Sequence, residues 1–119
     1  MPEGGRVILG SLRGTASLEG LRGYIAELLS PPCVDVDYPV LSDLRELDMR
    51  SVTADDIRRV VEHVALNRSS IAPIKHAILV SQPVSFGLAR MYELLSQETD
   101  PQQISVFYDA DKARKWLAE

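Results

Sequence analysis

The chain of 119 residues is poor in several residue types, and each scarcity narrows what it does. It has one cysteine, Cys33, which forms no internal disulfide. A disulfide-stapled scaffold is thereby excluded, and a reducing, cytoplasmic setting is the expected one. The only histidines are His63 and His76, and with Cys33 they match the spacing of no structural zinc site. We expect no metal and no cofactor. His63 falls on the polar side of a helix and His76 at a strand's edge, where both histidines are expected to be solvated. Basic residues are outnumbered, with 13 Lys and Arg against 17 Asp and Glu, a net charge of -4. Nucleic acid and anionic membrane surfaces favour basic partners and are not expected to bind. Wholly apolar runs extend only a few residues, whereas a membrane span needs roughly 20. Met1-Pro-Glu-Gly-Gly-Arg6 has no basic stretch leading into an apolar one, so no secretory signal is expected.

Loops and elbows that carry familiar chemistry are missing too. Gly10-Ser-Leu-Arg-Gly14 fits neither the dinucleotide fingerprint nor a Walker A loop. No Gly-x-Ser-x-Gly elbow occurs. Asp35/Asp37, Asp55/Asp56 and Asp109/Asp111 are carboxylate pairs, but the last two sit where helices begin and complement the helix dipole there. Asp35 and Asp37 follow Cys33 closely and oppose the electropositive setting a nucleophilic thiolate needs. Nothing in these patterns argues for an enzyme.

What is present is ordinary globular composition, 45% hydrophobic and 25% charged, in one domain spanning residues 1–119. Residues 6–14 read as a strand ending at Gly14. Leu18, Leu21, Ile25, Leu28 and Leu29 recur at helical spacing over 17–30, and Pro31-Pro32 stops that helix. Val40–Leu44 reads as a short strand, followed by a polar connection over 45–52. Thr53-Ala-Asp-Asp56 has the pattern of a capping box. Behind it Ile57, Val60, Val61, Val64 and Ala65 form one apolar stripe. His76–Ser81 reads as a buried strand, Pro83 opens a third helix running to about Gln97, and Thr99–Gln102 is a turn. Ile104, Val106 and Tyr108 alternate as a last strand, and the helix after it buries Ala113, Trp116 and Leu117. The order β-α-β-α-β-α-β-α predicts an α/β fold with a parallel or mixed sheet.

In open α/β sheets, ligands sit beyond the carboxyl ends of the strands. Those ends bring together Ser42, Asp43 and Arg45 from one strand with Ser81, Gln82 and Ser85 from another. The start of the third helix offers free N–H groups to an anion, and a plain capping role for Ser81 and Gln82 is the alternative. The third helix itself is too apolar for a single face. Phe86, Leu88, Ala89, Met91, Tyr92, Leu94 and Leu95 exceed the stripe of about 100° that covering a sheet requires. With Phe86, Ala89 and Leu94/Leu95 toward the core, Leu88, Met91 and Tyr92 stand on the flank. The surplus fits a homodimer or protein-partner contact first, then a pocket for a small apolar ligand, or else a thick core. Arg90 is expected to pair with Glu93 or Glu98 in an ordinary salt bridge, with contact to an anionic group as the alternative.

Leu41-Ser-Asp-Leu-Arg-Glu-Leu47, Phe86-Gly-Leu-Ala-Arg-Met-Tyr-Glu93 and Val106-Phe-Tyr-Asp-Ala-Asp-Lys-Ala-Arg-Lys-Trp-Leu117 together resemble the small bacterial SpoIIAA-like proteins. These belong to the wider STAS group, named for sulfate transporters and anti-sigma-factor antagonists. The resemblance covers residue 6 to the end. It implies a sheet of four or five strands with packed helices, and action by protein contact rather than catalysis. Members suited to apolar or lipid-like ligands imply a carrier or sensor as the alternative. Anti-sigma-factor antagonists carry a phosphorylated serine within Asp-Ser-Ser-Gly, and the matching segment here is Arg50-Ser-Val-Thr-Ala-Asp-Asp56. Ser51 and Thr53 are the candidate phosphorylation positions. The Ser-Ser-Gly core is absent, however, so a capping role is expected for Thr53.

Overall fold

The computed structural model describes residues 7–29, 39–67, 75–97 and 103–119. Cys33, Asp35, Asp37 and the turn expected at Thr99–Gln102 lie outside the described residues, as do the side chains of Leu28 and Leu29. The elements are β1 (Ile8–Ser11), β2 (Gly14–Thr15), α1 (Leu18–Leu29), β3 (Val40–Asp43), β4 (Leu47–Asp48), α2 (Ala54–Asn67), β5 (Lys75–Leu79), α3 (Pro83–Ser96), β6 (Gln103–Phe107) and α4 (Ala110–Ala118). The chain is an α/β protein, as its alternating pattern predicts.

The main sheet has four parallel strands in the order β1-β3-β5-β6. Among the described residues the order runs one way, without the reversal of strand order that opens a ligand crevice in doubly wound sheets. Alternation along each strand sorts the side chains between two cores. Ile78, Val80 and Ile104 join Leu21, Ile25, Val60, Val64 and Ala89 on the face covered by α1, α2 and α3. Leu41, Ala77 and Leu79 meet Ala113 and Leu117 of α4 on the other. The continuous apolar run of β5 follows from this two-sided cover. No helix among the described residues is long and apolar enough to cross a membrane.

Two readings of strand and loop are corrected here. The strand expected over 6–14 breaks after Ser11, and Gly14, at φ 85°, begins β2 instead. A positive φ is open to glycine because it has no Cβ. The polar connection expected over 45–52 contains β4, which pairs with β2 (Gly14 with Leu47, Thr15 with Asp48), and it buries Leu47, Met49 and Val52. Charged residues between these apolar ones hide the alternation, which is only two residues long.

Helix starts follow their capping chemistry. The amide of Thr53 donates to Asp56 Oδ2 at 3.0 Å and the amide of Asp56 to Thr53 Oγ1 at 3.1 Å, the reciprocal box its sequence encodes. Ser17 Oγ accepts from the Gly20 amide, and Asp109 Oδ1 from the amides of Asp111 and Lys112. Ile57, Val60, Val61 and Val64 are buried as expected, whereas Ala65 is exposed because the stripe is narrower than the spacing alone implied.

Candidate functional site

Two hollows lie on the α1–α3 side of the sheet. The inner one is a cavity of about 60 Å³ whose walls include Leu12, Leu21, Leu44, Ile57, Leu88 and Tyr92. A hydrogen-bonded chain of three polar side chains crosses its floor. Tyr24 Oη lies 2.5 Å from Ser42 Oγ, which lies 2.7 Å from His76 Nε2. Ser42 is 1% exposed and His76 3%, and both also line the cavity. The chain is compatible with Tyr24 donating to Ser42 while Ser42 donates to the imidazole. His76 therefore is not the solvated strand-edge histidine expected from its position. β5 lies between β3 and β6, and the His76 side chain faces the cavity beside Tyr24 and Ser42, a placement that sequence order does not reveal.

Gly10 makes this chain possible. It is in register with Ser42 across β1 and β3, and a Cβ there would collide with the Tyr24 phenol oxygen and stand 3.0 Å from ring carbons Cε1 and Cζ. The absent side chain leaves room for the phenol. With Tyr24 and His76 each bonded to Ser42, the exposed wall of the cavity is apolar. An apolar cavity stays dry and holds small apolar molecules. Its size, a few water molecules' worth, is well below the roughly 300 Å³ at which drug-sized pockets begin. A lipid-like ligand does not fit inside it.

The outer pocket, about 380 Å³, lies beyond the carboxyl ends of β3 and β5. Arg45, Glu46, Asp48, Arg50, Gln82 and Ser85 form its polar wall. Arg45 donates to Asp43 through Nε at 3.0 Å and Nη2 at 2.8 Å, and Arg50 donates to Asp48 with the same two distances. These bonds are the main cause of two carboxyl shifts. The Asp43 carboxyl lies below its ordinary value, and Asp48 is pushed down to about 2. Ser81 Oγ donates to the Arg45 carbonyl oxygen at 2.8 Å, tying the turn before α3 to the turn after β3. Gln82 occupies the N-cap of α3, yet its side chain caps nothing, and Pro83 follows it. The plain capping role weighed for Ser81 and Gln82 is therefore not what their side chains perform. Ser85, 1% exposed, has a hydroxyl with no hydrogen-bond partner.

Of the expected site residues, the structure gathers Arg45, Gln82 and Ser85 around the outer pocket, with Ser81 bracing it. Leu88 and Tyr92 line the inner cavity. Tyr92 is not the flank residue expected. It is 7% exposed, turned into the core between α2 and the sheet, and therefore cannot anchor a partner. Met91 is half-buried against the same core, and Phe86 stacks on Tyr108 with ring centroids 4.8 Å apart. The residues of α3 that do stand out are Val84 and Leu94, the latter expected in the core. Arg90 donates to Glu93 at 2.8 Å, as expected. Thr53 is engaged in its capping box, and exposed Ser51 donates to the Ala16 carbonyl oxygen at 3.4 Å. Tyr24, His76 and Met49 were missed as site residues. Only the polarity of Ser42 and His76 inside two apolar strands could have signalled the first two. Among the described residues no cluster of His, Cys, Asp or Glu is arranged to hold a metal ion.

No protein-family model, curated protein or solved structure matches the chain.

Proposed function

We propose that this chain is a non-enzymatic binding protein that takes a small molecule beyond the carboxyl ends of β3 and β5. One observation carries this: a pocket of about 380 Å³ opens at the side-chain-uncapped start of a 14-residue helix. That volume lies within the range of about 300–1,000 Å³ usual for ligand sites. The first-turn amides of a helix have no intrahelical acceptor and look outward for one. The four parallel strands with helices on both faces are compatible with a STAS-like, SpoIIAA-like assignment, which belongs to the same proposal, as does a cytoplasmic location. Titrating a set of small neutral and anionic fragments into isotope-labelled protein tests the site by amide shifts. Binding should move the amides of residues 45–50 and 82–86. If every bound fragment maps elsewhere, or none binds at millimolar concentration, the reading fails.

Self-association is a second reading, favoured by one feature of the other sheet face. Strand β1 is an edge, and its Leu9 is 63% exposed beside a shallow groove lined by Leu41, Leu79, Ala110 and Arg114. Long apolar side chains on an edge strand invite pairing. Light scattering at high micromolar concentration, with Leu9→Lys as control, tests it. A monomer at that concentration removes the reading.

A further inference from the structure

The outer pocket and the inner cavity have a single lining residue in common, Met49, which is itself buried. On one side of it lies a polar wall, on the other an apolar space.

On the polar side, two independent features point to an anion. The first turn of α3 has no side-chain cap, and because Pro83 carries no N–H, the Val84 and Ser85 amides are left to meet a ligand. Ser85 adds a buried hydroxyl without a partner, a group that proteins almost always satisfy. Arg45 and Arg50 each use Nε and Nη2 on an aspartate, and a guanidinium carries five N–H donors, so each retains donors for a ligand. Glu46 and Asp48 stand in the same wall and repel surplus negative charge. A ligand with one negative charge suits this balance, and a dianion does not.

On the apolar side, Met49 is the type of side chain best able to move. An unbranched thioether with three rotatable bonds adapts to the space it is given. Beyond it, Leu44, Ile57, Leu88 and Ala89 bound room for a few carbon atoms.

We infer that the site takes a short-chain monocarboxylate, with its carboxylate on the first turn of α3 and its alkyl chain past Met49 in the inner cavity. The inference rests on the proposed binding function and names its ligand class.

Calorimetric or NMR titration of the full chain with acetate, butyrate, hexanoate and inorganic phosphate tests it. Affinity should rise up to about fourfold per methylene from acetate to butyrate. Ala89→Leu fills the inner cavity and should flatten that rise. Ala89→Val serves the same purpose if the larger side chain prevents folding. Ser85→Ala should weaken every acid by a similar factor. Equal affinity along the series, or an unchanged rise in both Ala89 variants, overturns the placement of the chain. Phosphate binding more tightly than acetate overturns the preference for a single charge. Neutral fragments binding where no carboxylate does overturns this inference and leaves the proposed function standing. A pocket that binds nothing overturns both.

Discussion

The phenol ring of Tyr24 occupies the space where a side chain on residue 10 would stand, and Gly10 is the residue that leaves it free. The relationship ties the first strand to the first helix through an absence. Because the phenol then reaches Ser42, which reaches His76, a single missing methyl group underlies the polar floor of the cavity.

Replacing that glycine tests the arrangement. Gly10→Ala forces its Cβ against the Tyr24 ring and should destabilise the fold by about 1–3 kcal/mol, the usual effect of overpacking. In a Tyr24→Ala background the clash is gone, so the same substitution should have a much smaller effect. Urea unfolding of both single variants and the double variant measures this coupling. Additive losses would show that the ring and residue 10 do not compete for space.

Ser42 holds the middle of the chain, and its loss takes one hydrogen bond each from half-buried Tyr24 and buried His76. Ser42→Ala should therefore destabilise by about 1–3 kcal/mol, whereas Tyr24→Phe, which leaves the bond to His76 intact, should lose only about 0.5–1.5 kcal/mol. The order of the two midpoints in denaturant is the readout.

Acid acts on the wall of the outer pocket. The Asp48 carboxyl is pushed from 3.8 to about 2, chiefly by the side-chain hydrogen bond from Arg50 and then by the Arg50 amide. A group lowered on folding stabilises the fold above its ordinary value, and that stabilisation disappears as the pH falls toward about 2. Asp43 shifts in the same direction through Arg45. Carboxyl-carbon NMR titration should place the Asp48 midpoint near 2 and return it toward 3.8 in Arg50→Gln. An unchanged midpoint in that variant would break the link to Arg50.

Thr53 offers a test of capping against modification. Thr53→Ala removes the acceptor of the Asp56 amide and should lose about 0.5–2 kcal/mol, while Thr53→Ser should remain close to the parent. Thermal unfolding of the pair checks this. A Thr53→Ala variant as stable as the parent would leave the residue without its structural role.

The alternation of strands and helices, the capping box at Thr53–Asp56 and the stripe from Ile57 to Val64 were legible in the chain itself. Each depends on periodicity or on residues within four positions of one another, which is local chemistry. The Arg90–Glu93 pair was legible for the same reason, being one helical turn apart. The meeting of Arg45 with Gln82 and Ser85 was anticipated from the rule that strand ends gather in α/β sheets. Their common pocket, however, needed the β3–β5 register to be known.

Tertiary packing alone decided the rest. Tyr92 and Leu94 lie two residues apart on a helix that is apolar on most sides, so composition could not say which of them would turn inward. The answer came from where α2 and the sheet lie around α3. Gly10, Tyr24, Ser42 and His76 come from three strands and a helix, and neither period nor spacing joins residues so far apart. Sequence determined which segments coil and which extend, because those preferences belong to neighbouring residues. The three-dimensional arrangement determined which side chains share a cavity, because that depends on strand order and on the volume each distant residue leaves unfilled.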